Sequence, residues 1–305
     1  MLSHFCKALT NVALRLTTPF PIQFSTIMKM KLKILTAFSV IILGLEVSPS
    51  VRADESGRPG FWDDIPENSS TMIPDAIHDD YWHSQFQRVN RAISRTDPAQ
   101  VVFFGDSITL RWSMLKSEGK PVWQERFAQY NPINMGNSGD ITPVMLYRVT
   151  HGNLDFPKER EPRVAVLLCG TNNFTVKQSH GGKVKWDLGI ETPPCEVAHG
   201  IRAVAQEFRR QLPNTRVVLL GILPVKNPKK WSKCQKTNEI LANYCYPENE
   251  VVFLDVQDEF LFSDGSLRED LFVDGTHLTT CGYQIMADKL KPVIERLLKL
   301  DPIQP

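Results

Sequence analysis

The sequence has almost no charge imbalance. Its 35 Lys and Arg stand against 34 Asp and Glu, a formal net charge of +1 over 305 residues. So weak a global field excludes nucleic acid or an anionic membrane as a partner held by bulk electrostatics. No apolar run reaches the roughly 20 residues that a membrane-spanning helix needs. Cysteine is scarce, with six in the chain. No Cys-x-x-Cys pair and no His-Glu-x-x-His signature occurs, so a zinc site has no support, and no metal or organic cofactor is expected. Internal repeats and low-complexity tracts are missing too. What remains is 42% hydrophobic and 23% charged residues, an ordinary globular composition. One α/β domain of about 200–250 residues accounts for most of the length.

The N-terminal region reads differently. "MKMKLK" at 28–33 is basic, "ILTAFSVIILGLEV" at 34–47 is apolar, and "SPSVRA" ends with Val51 and Ala53 at the small-residue positions of a cleavage site. Residues 28–53 are therefore expected to be a cleaved export signal, placing the mature chain outside the cytoplasm, secreted or periplasmic, with no membrane span after cleavage. A retained signal anchor is one alternative. An organelle address is another, because residues 1–27 lack acidic side chains. After export five cysteines remain, an odd number. Cys169 lies in an apolar run and reads as a small buried residue. One disulfide among Cys195, Cys234 and Cys245 is expected, its pairing open.

The expected organisation is an N-terminal extension and signal at 1–53, a polar Pro-rich arm or tail at 54–79, and one domain at 80–300. The segment "YWHSQFQRVNRAI" sets Trp82, Phe86, Val89 and Ile93 at spacings of three and four, an amphipathic helix. Short apolar runs follow at 101–104, 132–135, 164–168, 217–222 and 251–254. Such near-continuous apolar strands are covered on both faces. Segments of helical period lie between them, and "CGYQIMADKLKPVIERLLKL" closes the chain. This rhythm predicts a three-layer α/β/α sandwich around a five-stranded parallel sheet. The ligand crevice of such a sheet lies beyond the carboxyl ends of its strands.

Three polar loops fall at those ends: Gly105-Asp106-Ser107, Asn137-Ser138-Gly139-Asp140 and Gly170-Thr171-Asn172-Asn173. A fourth motif, Asp274-Gly275-Thr276-His277, precedes the last helix. Each alone has a bland reading, with Ser107 a helix N-cap, Gly139 a turn residue and Asn172 a loop cap. Together they form a chemistry. A serine hydroxyl needs a base to become a nucleophile. The imidazole of His277 suits that role. Asp274, three residues earlier, can orient the ring and stabilise its cation. The backbone N–H groups of Ser107 and Gly139 and the side-chain amide of Asn172 can serve the oxyanion. Asp106 reads as a cap or a brace between loops. Asp255, at the end of the fifth strand, is a rival orienter with a less suitable spacing.

These motifs resemble the SGNH (GDSL-type) hydrolase family. The carriers are "VVFFGDSI", "INMGNSGDITPVMLYRV", "GTNN", "VVLLGILPV" and "FVDGTHLTTCGY", together with the helix at 81–93, spanning about 80–299. Within the family the likeness is greatest to the catalytic subunits of intracellular platelet-activating-factor acetylhydrolase. The resemblance implies the flavodoxin-like SGNH fold, with Ser107, Gly139, Asn172 and His277 as the marker residues and Asp274 completing a triad. It also makes a homodimer an open expectation that no feature of the sequence establishes. Three departures stand out. Those subunits are cytosolic, and the loop after Asn173 is longer than the family needs. Asn173 itself stands where many members have Asp.

The expected activity is therefore a serine esterase acting on short-chain esters, acetyl above all, of carbohydrates. An alternative is a phospholipid acyl hydrolase, with Trp186, Leu188 and Ile190 of the long loop as a lid. A remote one is a non-catalytic binding protein on a hydrolase scaffold.

Overall fold

A computed structural model describes residues 57–66, 69–72, 74, 79–95, 97–175 and 192–303. The export segment at 28–53 and the loop residues Trp186, Leu188 and Ile190 lie outside these.

Five strands, β1 (Val101–Gly105), β2 (Ile133–Gly136), β3 (Val164–Leu168), β4 (Arg216–Leu220) and β5 (Val251–Leu254), form one sheet in the order β2-β1-β3-β4-β5. Every pairing is parallel. Among the described residues seven α-helices accompany it. These are α1 (Asp80–Ile93), α2 (Ser107–Ser113), α3 (Lys120–Arg126), α4 (Thr142–Thr150), α5 (Pro194–Gln211), α6 (Pro228–Ala242) and α7 (Thr280–Lys299). The expected three-layer sandwich is the observed fold, and the strand order is that of the flavodoxin-like class.

Alternate strand residues feed two separate cores. Val102, Phe104, Ala165, Leu167, Val217 and Leu219 pack on one face against α1, α4, α5 and α6. Val101, Phe103, Val164, Val166, Val218 and Leu220 pack on the other against α2, α3 and α7. This double coverage is why the strands read as unbroken apolar runs. β5 departs from the pattern. Its Val252, Phe253 and Leu254 are only half-buried although the run is fully apolar, whereas β2, at the other edge of the sheet, is buried throughout.

The arm is docked where it is described. Gly60 bridges to Cys245, and Phe61 is buried. The Arg202 guanidinium donates to the carbonyls of Phe61 and Asp63 at 2.7 and 2.6 Å. The expected disulfide is not present. No disulfide joins Cys195, Cys234 and Cys245 to one another. Cys234 faces the core while Cys195 faces solvent, so that pair points into different media. Cys169 is buried, as its apolar context implied, and burial pushes its thiol well above its ordinary value.

Candidate active site

The glycine-bearing loops leave β1, β2 and β3 at one level. The register pairs Gly105 with Gly136 on one side and with Leu168 on the other. Gly105 is required by space. A Cβ there would lie 2.4 Å from Thr109 Oγ1 and 2.5 Å from the Leu168 carbonyl oxygen.

Asp106, not Ser107, is the N-cap of α2. Its backbone is extended, and its Oδ1 accepts the Ile108 N–H at 2.9 Å. Ser107 is the first helical residue, half-buried, and its hydroxyl is left free of capping. That hydroxyl instead meets His277 Nε2 at 2.8 Å.

His277 is held by its own loop. Asp274 Oδ1 accepts the backbone N–H groups of Thr276 at 3.1 Å and His277 at 2.9 Å. Its Oδ2 lies 2.7 Å from His277 Nδ1. A proton on Nδ1 is thereby satisfied, and Nε2 is left as the acceptor facing Ser107. Burial pushes the Asp274 carboxyl up, but the backbone and ring N–H groups and the charge of His277 outweigh it, with Thr276 adding to them. The net result lies below the ordinary carboxylate range. Asp255, the rival orienter, accepts the Gln257 N–H at 3.0 Å and closes its own turn instead.

The remaining predicted residues gather beside the serine. Gly139 is half-buried at φ +79°, a left-handed conformation that glycine adopts without strain. The Asn172 amide donates to the main-chain oxygen of Asp140 at 3.0 Å and lies 3.5 Å from Asp106 Oδ2. Asn173 is fully buried and turned away. It accepts the Thr142 N–H at 3.2 Å and donates to Thr142 Oγ1 at 2.8 Å, bracing the start of α4. That contact gives the Asn at this position a structural use.

A buried layer lies beneath the half-buried one. Asp106, Asp140 and Arg148 are all fully buried. Burial pushes the Asp106 carboxyl up to about 7, against the pull of the Ile108 N–H and the Lys230 charge. Arg148 pairs with Asp140 at 2.7 Å. The sequence reading missed Asp140, Arg148 and Trp82 as supports of the site. The signal available was a lone arginine inside the apolar stretch "PVMLYRV", since a charge on a buried helix face must have a partner.

Chemically, the arrangement offers a hydroxyl beside a base with a fixed tautomer, and the Asn172 amide as a donor on the neighbouring loop. Comparison with known proteins gives this constellation a family. The profile of the GDSL-like Lipase/Acylhydrolase family matches residues 103–285, from inside β1 into α7.

The chain belongs to the GDSL-like lipase/acylhydrolase family.

It is thus an ester hydrolase of the GDSL type. Among curated relatives, the platelet-activating factor acetylhydrolase IB subunit alpha2 of Rattus norvegicus is 30% identical, over 77% of this chain and 95% of that one. Subunit alpha1 of the Bos taurus enzyme is 29% identical, over 78% and 93% respectively. A solved structure described as a platelet activating factor from Streptococcus pneumonia superposes with a TM-score of 0.54 at 23% identity. It covers 70% of this chain and 92% of that one, and at that identity the likeness speaks for the GDSL fold alone.

Proposed function

We propose that this GDSL hydrolase is an exported serine esterase that removes short acyl groups, acetyl foremost, from carbohydrate esters. The observation that carries the mechanism is the hydrogen-bonded line Ser107–His277–Asp274. Ser107 Oγ attacks the acyl carbon and gives its proton to His277 Nε2. The carbonyl electrons move onto the oxygen, which the N–H groups of Ser107 and Gly139 and the Asn172 amide stabilise. The carbon–oxygen bond to the sugar then breaks, and the imidazolium returns the proton to the leaving alcohol. Water gives a proton to the same nitrogen and attacks the acyl carbon. The bond to Ser107 Oγ breaks, the imidazolium returns the proton to Oγ, and the acyl group leaves as a carboxylic acid. Asp274 stays ionised throughout and stabilises the imidazolium.

The acetyl preference is supported by the relatives, whose names specify acetylhydrolase activity. The carbohydrate class is supported by the export signal read in residues 28–53, which directs the enzyme to polymers outside the cytoplasm. A second reading, hydrolysis of a phospholipid acetyl ester, has its own support. The relatives are named for platelet-activating factor. Leu115, just past α2, and Val273, beside Asp274, are large apolar side chains exposed by 78% and 50%.

Purified mature chain assayed on nitrophenyl acetate, nitrophenyl octanoate, acetylated xylo-oligosaccharides and a 2-acetyl phospholipid separates these readings. A kcat/KM on the sugar esters well above that on the phospholipid supports the proposal. The reverse order replaces it with the second reading, and preference for octanoate rejects the short acyl pocket.

A further inference from the structure

The side chain of Asp140 is gripped from both sides. Its Oδ1 accepts the Trp82 indole N–H at 2.9 Å, and its Oδ2 accepts Arg148 Nη1 at 2.7 Å. All three residues are buried to 2% exposure or less. The grip is itself anchored on the strand ends. Arg148 Nη2 donates to the Met135 carbonyl oxygen, and Arg148 Nε to Asn153 Oδ1 at 2.9 Å. The guanidinium also lies over the Phe104 ring, 4.5 Å from its centroid. β1, β2, α1 and α4 therefore all bear on one aspartate.

Stability alone gives little reason for such a grip. A buried ion pair roughly breaks even against well-packed apolar side chains, because desolvation offsets the attraction. What it supplies that apolar packing cannot is a direction for the Asp140 peptide. The Asp140 carbonyl accepts one hydrogen of the Asn172 amide at 3.0 Å. A carbonyl at that point requires the NH₂ end of the amide to face it, since the amide oxygen could only repel it. Among the described residues the second hydrogen has no acceptor at a comparable distance. Asp106 Oδ2, at 3.5 Å, lies beyond the usual N–H···O range. That hydrogen is the one left for a developing oxyanion.

We propose that Asp140, clamped between Trp82 and Arg148, is the positioning residue that aims the Asn172 amide at the transition state. Asp140 touches no reacting atom. It acts through Asn172, and the inference rests on the esterase reading of Ser107 and Asn172 above.

Trp82→Phe tests it, removing one donor to Asp140 while keeping an aromatic ring in the site. Well below the melting temperature, kcat is expected to fall about tenfold with KM little changed, as misplacing a catalytic group does. The decisive measurement is the cycle with Asn172→Ala. Once the amide is gone its aim no longer matters, so Trp82→Phe should cost less than about twofold in that background. Arg148→Lys, which retains the charge but not the fork, loosens the clamp from its other side. It is expected to give the same pattern and carries the test if Trp82→Phe does not fold. A lowered melting temperature with normal kcat overturns the proposal. So do losses that multiply fully with Asn172→Ala, because a merely structural clamp would act independently of the amide. Ser107→Ala run in parallel keeps the two ideas apart. If it retains turnover, the esterase reading fails. If it is inactive while Trp82→Phe is normal, only the clamp fails.

Discussion

Ser107 Oγ and His277 Nε2 meet at 2.8 Å although 170 positions separate them in the chain. The contact joins the loop after the first strand to the loop before the last helix. Each partner is prepared locally: Asp106 takes over the capping of α2, and Asp274 fixes the imidazole. The meeting itself belongs to the sheet.

The first prediction follows from that contact. Ser107→Ala should leave the fold intact, because the cap is Asp106 and the hydroxyl carries no other bond within α2. Ester turnover should fall by several orders of magnitude, as loss of a triad serine does. Thermal melting and kcat on nitrophenyl acetate check both halves. Near-normal turnover would remove Ser107 from the mechanism.

Adjacent asparagines should separate cleanly. Asn172→Ala is expected to lower kcat by about a hundredfold with KM little moved, as loss of an oxyanion-hole donor does. Asn173→Ala should lose the two bonds to Thr142 and lower the melting temperature, at about 1–3 kcal/mol, while kcat is spared. Kinetics and melting curves for both variants decide. An Asn172 variant that melts early yet turns over normally would make it a loop cap.

Asp106 gives a pH signature. Its carboxyl is raised to about 7 by burial. The folded chain therefore holds this proton at pH values where the unfolded chain, with an ordinary value of about 4, has released it. The resulting contribution to stability is complete below about pH 4 and is lost as pH rises through about 7. Asp106→Asn removes this dependence. The melting temperature of the variant relative to the unchanged chain should therefore improve from pH 4 to about pH 7 and level off above it. A constant difference across that window would refute the protonated carboxyl.

The export reading is open to a direct test. N-terminal sequencing of protein recovered outside the producing cell should begin near Asp54. Recovery of a membrane-bound chain that still carries residues 34–47 would show an anchor instead.

Much of the architecture was legible in the residue order. Apolar runs of strand length, separated by segments of helical period, dictate a parallel sheet covered on both faces, because only such a sheet buries every strand residue. The placement of Ser107, Gly139 and Asn172 on one edge followed, since parallel strands share a carboxyl end. Asp274 and His277 were linked by spacing alone, three residues being one turn. Tertiary structure decided what local pattern cannot encode. Periodicity is blind to strand order, so it could not bring the loop of His277 to Ser107. β2 and β5 both lie at sheet edges, yet β2 is buried and β5 only half so, a difference set by what packs over each strand and not by its apolar sequence. The cysteines expected to pair do not bond to one another, because pairing depends on where their elements pack and not on their number. The grip of Trp82 and Arg148 on Asp140 joins residues from two helices and a loop. Its strength comes from exclusion of water, and only the assembled core provides that.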